Sequence, residues 1–360
     1  MYLLILSIII LLFAGSLTSI AGIGGGAILL PVYYIIAEYD LDESILLAVL
    51  TVVGNALIRV IYYLTHSQKE LVNYDIIRII VPFDTAMGTY GFILNKILPN
   101  WIVVGLVISI LSTILLKTTR KTRKIRAEEL IIISGENSAT APTPPLTPPP
   151  HIHTSTSTST STPFRKNIKY LVLFFLIIAG QTLLITKFNR LCSYHYWIVT
   201  GVFTAVNLLL GFCIYSSSAL KSKGKLAFFA ANTGWVSSLL GIGGGILINP
   251  LLLHNGFQPE EIVATTSITI FFSGAVSSLQ YLTAENLELK YYDMIGAFLV
   301  GLFSSSIGTY ISVNHIKRKS YIFIILLVLI ALSFLILTTF TVIDLINEGF
   351  QGMRDLCEAE

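Results

Sequence analysis

Apolar residues run in long stretches along almost the whole chain, and many stretches approach the ~20 residues a helix needs to cross a bilayer core. The pattern predicts a segment over residues 3–37 that is interrupted by glycines, then helices over 44–64, 76–94 and 101–116. Two more helices are predicted over 168–186 and 196–215. A second glycine-broken segment follows over 225–254, then helices over 260–282, 291–313 and 321–345. Transmembrane β-barrel strands would alternate apolar and polar residues in segments of ~10, and these runs do not. The expected fold is therefore an all-α polytopic membrane protein.

The second block copies the order of the first. "SIAGIGGGAILLP" (19–31) returns as "SLLGIGGGILINP" (238–250). Pro31 matches Pro250, and Tyr62 matches Tyr281. Tyr74 and Asp75 return at Tyr292 and Asp293, and the Gly-Thr-Tyr run at Gly88 returns at Gly308. The register slips by only one residue either way, so an internal duplication is the simplest account. The chain divides into a membrane repeat (1–117), a linker (118–167), two inserted transmembrane helices (168–223), a second membrane repeat (224–345) and a polar tail (346–360). Each repeat holds four segments, the first broken by glycines.

Composition agrees with a bilayer setting. Of 360 residues, 54% are hydrophobic and only 12% charged, against about a quarter charged in soluble domains; the mean hydropathy is +0.77. The three cysteines have no CxxC or metal spacing, which suggests neither a disulfide framework nor a zinc site. The histidines are scattered, and no HExxH, GxSxG or Walker pattern appears, so no enzyme, cofactor or nucleic-acid partner is indicated. The N-terminus superficially resembles a signal peptide. It lacks a basic n-region and runs on into the glycine motif, so it reads as the first membrane segment.

The linker is basic over 117–126, then Pro/Ser/Thr-rich over 140–163. Such a tract cannot build a core and is expected to be disordered. Its Pro145 and Pro148 match PxxP, which leaves open a cytoplasmic binder of the linker. A membrane scaffold or receptor-like protein is accordingly the rival to a transporter, with an anion channel as a third reading.

Lys and Arg bias orients the repeats. The basic groups at 117–126, 165–169 and 221–225 fall on one side. The late group at 316–319 joins them only if each broken segment dips into the membrane and returns as a hairpin. In that case the repeats are inverted, with the acidic Glu260 and Glu261 a mild mismatch. If the segments cross fully, the repeats are parallel. The charge pattern favours inversion.

A run of glycines inside a membrane helix costs several times the ~1 kcal/mol of one glycine. Any backbone groups it releases must be satisfied inside the protein or face a cavity. Gly24, Gly25 and Gly26, with Gly243, Gly244 and Gly245, are placed to turn the chain and start half-helices at Ala27 and Ile246. The N-termini of those half-helices would offer N–H groups and dipole to an anion. Paired breaks in two repeats point to a transporter's central site; close helix packing through small residues is the alternative. Gly22-x-Gly24-x-x-Ala27 also fits a dinucleotide fingerprint formally, but it lacks the strand and soluble βαβ setting.

The pair "GIGGGAILLP" and "GIGGGILINP", each opening a four-segment membrane repeat, resembles the TauE/SafE sulfite exporter family over about residues 3–117 and 224–345. The resemblance implies a transporter of small sulfur-containing anions such as sulfite or sulfonates. Repeat 1 lacks the Ser/Thr-rich run that follows the proline in repeat 2, so the ligands need not be symmetric.

Polar residues after each break are candidates to face a cavity: Thr51, Asn55 and Arg59 in repeat 1; Thr265, Thr266, Ser267, Thr269, Ser273 and Gln280 in repeat 2. Asn249 lies in the second half-helix. The hydroxyls alternatively bond their own helix carbonyls. Asp84 sits near mid-span, where an ionisable group is a functional candidate. Arg59 would attract an anion while Asp84 carries a coupling proton; the alternative is a structural Arg59–Asp84 pair.

Overall fold

A computed structural model describes residues 2–66, 71–99, most positions from 101 to 123, 164–187, 193–217, 223–241, 243–254, 257, 259–284, 289–315, 319–348 and 352–353. The Pro/Ser/Thr-rich tract and most of the basic stretch lie outside these residues.

The described residues form helices and no strand. Repeat 1 contains α1 (Tyr2–Ala21), α2 (Gly26–Pro31) with a π-helical turn (Val32–Ile36), α3 (Leu41–His66) and α4 (Tyr74–Ile97), then α5 (Trp101–Ile110). The inserted pair is α6 (Phe164–Lys187) and α7 (Tyr194–Ser217). Repeat 2 contains α8 (Lys223–Leu240), α9 (Gly245–His254), α10 (Pro259–Ala284), α11 (Tyr291–His315) and α12 (Lys319–Glu348). Among the described residues, five spans are long and apolar enough to cross a membrane: Leu41–Thr65, Tyr74–Ile97, Tyr194–Ser216, Glu260–Leu282 and Tyr291–Ser312. The half-helices begin at Gly26 and Gly245, one residue earlier than expected.

Local chemistry explains several boundaries. Asn73 caps α4, its side chain accepting from the Ile76 N–H, as short polar residues do at helix N-termini. Asp75 in the first turn complements the helix dipole and pairs with Arg78. At the first break, Gly24 and Gly25 adopt φ of 80° and 90°, and Gly243 adopts 73° at the second. Residues with a Cβ rarely adopt such angles.

The repeats interlock. The third helix of each packs on the first half-segment of the other, α11 on α1 and α4 on α8. The second helices, α3 and α10, pack against each other and against the third helix of the opposite repeat. Small residues make these contacts close. A Cβ at Gly234 would meet the Asp84 carbonyl, at Gly91 the Trp235 carbonyl, at Gly54 the Phe298 carbonyl and at Gly301 the Thr51 carbonyl.

Contacts also set the helix directions. Along α3 and α11, Gly54 lies beside Phe298 and Leu302, and the Ser305 hydroxyl donates to the Asn55 carbonyl; the two helices are parallel. Between α4 and α10, Asn73 N–H donates to Thr265 Oγ1 near both starts and Gln280 donates to Thr89 further along; they are parallel too. At the close of α4, Lys96 reaches back to Asp42 at the start of α3, so α3 and α4 are antiparallel. It follows that α3 and α10 run in opposite directions. In α1, Gly15 and Ser19 sit beside Ser304 and Ser305 of α11, so α1 runs parallel to α3. The stretch between α1 and α3 must therefore return to the end from which α1 started.

Candidate anion path at the paired helix breaks

The two glycine motifs meet. Asn249 of α9 donates its side-chain N–H to the Gly22 carbonyl at 3.0 Å, and a Cβ at Gly245 would meet the Ile23 carbonyl. The contacts cross between repeats. Gly22 abuts Val263 of α10, while Gly241 abuts Ile45 of α3. Val52 of α3 touches both breaks, at Gly24 and at Gly243, and Ile270 of α10 does so at Gly24 and Gly245. Gly24, Gly25, Gly26, Gly244 and Gly245 are buried, and Gly243 is partly exposed.

Side chains satisfy part of the opened backbone, which membrane depth demands. The Tyr281 hydroxyl donates to Ser238 O at 3.3 Å and Asn95 to Leu239 O at 2.7 Å, so two carbonyls at the end of α8 are met just before the second break. Nothing in "ILNKIL" around Asn95 suggested this role beyond two polar residues closing an apolar run. Lys96, the next residue, lies 3.3 Å from Asp42 and over the rings of Tyr281 and Phe92, 5.1 and 5.8 Å from their centroids.

Asp84 is buried against the second break. Its Oδ1 accepts from Thr233 at 3.3 Å, Ser273 is within hydrogen-bonding reach, and Gly244 lies beside the same oxygen. Thr233, in "AANTGW", was not a candidate from sequence, because a single threonine in an apolar helix carries no distinguishing signal. Arg59 is equally buried, at 1% exposure, but its guanidinium has no hydrogen-bond partner among the described residues. The Arg59–Asp84 pair is not formed.

The remaining candidates divide by their partners. Thr51 donates to Leu47 O and meets the Tyr33 hydroxyl at 2.7 Å. Asn55 donates to Gly15 O at 3.0 Å, leaving its Oδ1 unpaired among the described residues. Thr266, Ser267 and Thr269 bond carbonyls of their own helix, as does Ser273 with Ile270 O, the behaviour expected of hydroxyls in apolar helices. Thr265 and Gln280 instead bridge to α4. The breaks, Asn249, Asn55, Asp84 and Ser273 thus belong to the interlocked centre, whereas Thr266, Ser267 and Thr269 serve their own helix.

A chain with this duplicated, glycine-broken architecture is matched by the sequence profile described as "Sulfite exporter TauE/SafE" over residues 7–180 and 152–337. The chain belongs to the sulfite exporter TauE/SafE family. Similar proteins from Arabidopsis thaliana are Sulfite exporter TauE/SafE family protein 5, 26% identical over 94% of this chain and 83% of that protein, and family protein 6, 25% identical over 92% and 79%. Family protein 3 is 25% identical over 99% of this chain and 83% of its own length. No solved structure matches the chain. Membership makes this TauE/SafE chain a multi-pass integral membrane transporter and not an enzyme.

Proposed function

We propose that the chain is a secondary transporter of small sulfur oxyanions, such as sulfite or a sulfonate, working by alternating access between two inverted repeats. The observation that carries this reading is the meeting of the two glycine breaks at the repeat interface, each walled by the second helix of the other repeat. Broken segments at matching positions of two repeats are where transporters of this design hold their cargo. The names of the relatives, all sulfite exporter family proteins, supply the substrate class.

Inversion is supported by the opposed directions of α3 and α10. It is supported as well by the basic residues. The starts of α4 and α6 adjoin through Arg78 over the Tyr170 ring, and the end of α7 meets the start of α8 through Lys223 and Tyr215. Because α8 runs with α4 and α11 with α3, the starts of α6 and α8, which carry Lys169, Lys223 and Lys225, gather at the same end as the close of α11, and the charge rule assigns that end to the cytoplasm.

Asp84 is the coupling group in this reading. A carboxyl at this depth that faces hydroxyls and a glycine turn, with no cation beside it among the described residues, is suited to bind and release a proton as the breaks rearrange. Flux in proteoliposomes with sulfite, sulfate, thiosulfate and a sulfonate, each with and without a proton gradient, tests the proposal. Sulfite or sulfonate flux driven by the gradient is expected. Absence of flux for all four anions sinks it.

A further inference from the structure

Arg59 is a fully buried cation for which the described residues offer no counter-ion. Among the described residues Asp84 is engaged by Thr233, Glu261 by Asn73 and Asp42 by Lys96, and no carboxylate forms an ion pair with Arg59. A guanidinium taken out of water and left unpaired is strongly unfavourable, and its charge cannot be shed as that of lysine can. One helical turn back on the same face of α3 lies Asn55. Its amide N–H is held by Gly15 O, which fixes the side chain with Oδ1 as a buried acceptor that lacks a donor among the described residues.

We infer that Arg59 and Asn55 Oδ1 form a binding subsite for a singly charged oxyanion that carries an O–H, of which hydrogen sulfite is the fitting example. The inference rests on the transporter reading for what the occupant is, though not for the site's existence. Two anion oxygens match the guanidinium fork, and one negative charge cancels one positive charge. A dianion would leave an uncompensated buried charge. The O–H of the anion supplies the donor that Asn55 Oδ1 lacks, and a sulfonate, with the same charge and no O–H, does not.

The subsite is also one-sided. Shifted by the offset that pairs Ile45 with Val263 and Val52 with Ile270, Arg59 falls on Ser277 of α10, which is engaged with Ser238. Asp84, also of repeat 1, lies against the break of repeat 2. Repeat 1 therefore supplies both charged groups, the anion's and the proton's, and the duplication has specialised into one anion site.

The test uses the full-length protein, in detergent for thermal melts and in proteoliposomes for uptake, at a mildly acidic pH where hydrogen sulfite predominates. The probes are hydrogen sulfite, methanesulfonate and sulfate at matched ionic strength. Hydrogen sulfite should raise Tm most, methanesulfonate less, and sulfate no more than chloride. Arg59→Gln should lose this response, with the half-saturating anion concentration rising at least about tenfold, while its anion-free Tm stays at or above wild type because an unpaired charge has been removed. Arg59→Lys, which keeps the charge but loses the fork, should respond weakly. Arg59→Gln with a wild-type response overturns the inference, as does sulfate or methanesulfonate binding as well as hydrogen sulfite. An unstable Arg59→Gln that Arg59→Lys fully repairs makes Arg59 structural and overturns it too. Arg59-dependent binding without uptake by the wild type upholds the subsite and defeats the transporter reading; neither binding nor uptake defeats both.

Discussion

Asn249 donates to the Gly22 carbonyl across the repeat interface at 3.0 Å, so the second half-helix of one repeat holds the break of the other. The donor and acceptor are 227 positions apart in the chain, and side chains of the opposite repeat wall each break. This bond ties the two halves at the point where the proposed path crosses them.

Asn249→Leu should keep the volume of the side chain and lose the donor. Leaving the buried Gly22 carbonyl unpaired is expected to lower stability by about 1–3 kcal/mol. Thermal melts of the purified protein against wild type measure the loss, and an unchanged Tm would show the bond to be dispensable.

Glycines at the helix contacts should differ sharply from the rest. Gly234→Ala places a methyl against the Asp84 backbone and Gly91→Ala one against that of Trp235, which forces α4 and α8 apart and should reduce folded yield. Gly296→Ala, with nothing within 4 Å of the added carbon, should be neutral or stabilising by up to ~1 kcal/mol through helix propensity. Size-exclusion profiles and melts of the three variants make the comparison.

Asp84→Asn should preserve the fold, since an amide oxygen still accepts from Thr233, but abolish the dependence of flux on a proton gradient. Counterflow exchange, which needs no driving gradient, should survive. Gradient-driven uptake equal to wild type, at normal expression, would remove Asp84 from the coupling step.

The Lys96–Asp42 pair closes the end where α3 begins and α4 and α10 finish. Asp42→Asn removes the carboxylate beside a mostly buried ammonium and should cost more stability than Lys96→Met, whose chain still packs against Phe92 and Tyr281. Melts of both single variants and the double variant give the coupling between them; equal, additive losses would argue against a pair.

Outside the spans, Tyr39 has its phenol pKa pushed from 10.0 up to about 12, chiefly by burial and then by the nearby Asp293 and Glu43 carboxylates. The folded state thus favours the neutral phenol. Its contribution is complete below pH 10 and lost as pH rises to about 12. Tyr39→Phe should flatten this alkaline loss in a pH series of melts.

The breaks themselves were legible because their glycines are costly in a helix and occur twice. Periodicity and run length likewise placed the helices to within a few residues. Thr233, Asn95 and Lys96 escaped notice because their importance comes from partners far away in the chain. Thr266 and Ser267 show the converse: from sequence their hydroxyls could either face a cavity or bond their own helix, and both donate to the carbonyl four residues back.

Membrane residence, the duplication and the two break points follow from local properties of the chain, namely run length, charge scarcity and the steric freedom of glycine. Which residues face each other depends instead on how the repeats interlock. Pairing α1 with α11 and α4 with α8 is a packing outcome of small residues meeting backbone across more than a hundred positions. That packing binds Asp84 to Thr233 and leaves Arg59 buried without a partner among the described residues, and no pattern along the sequence distinguishes those two fates.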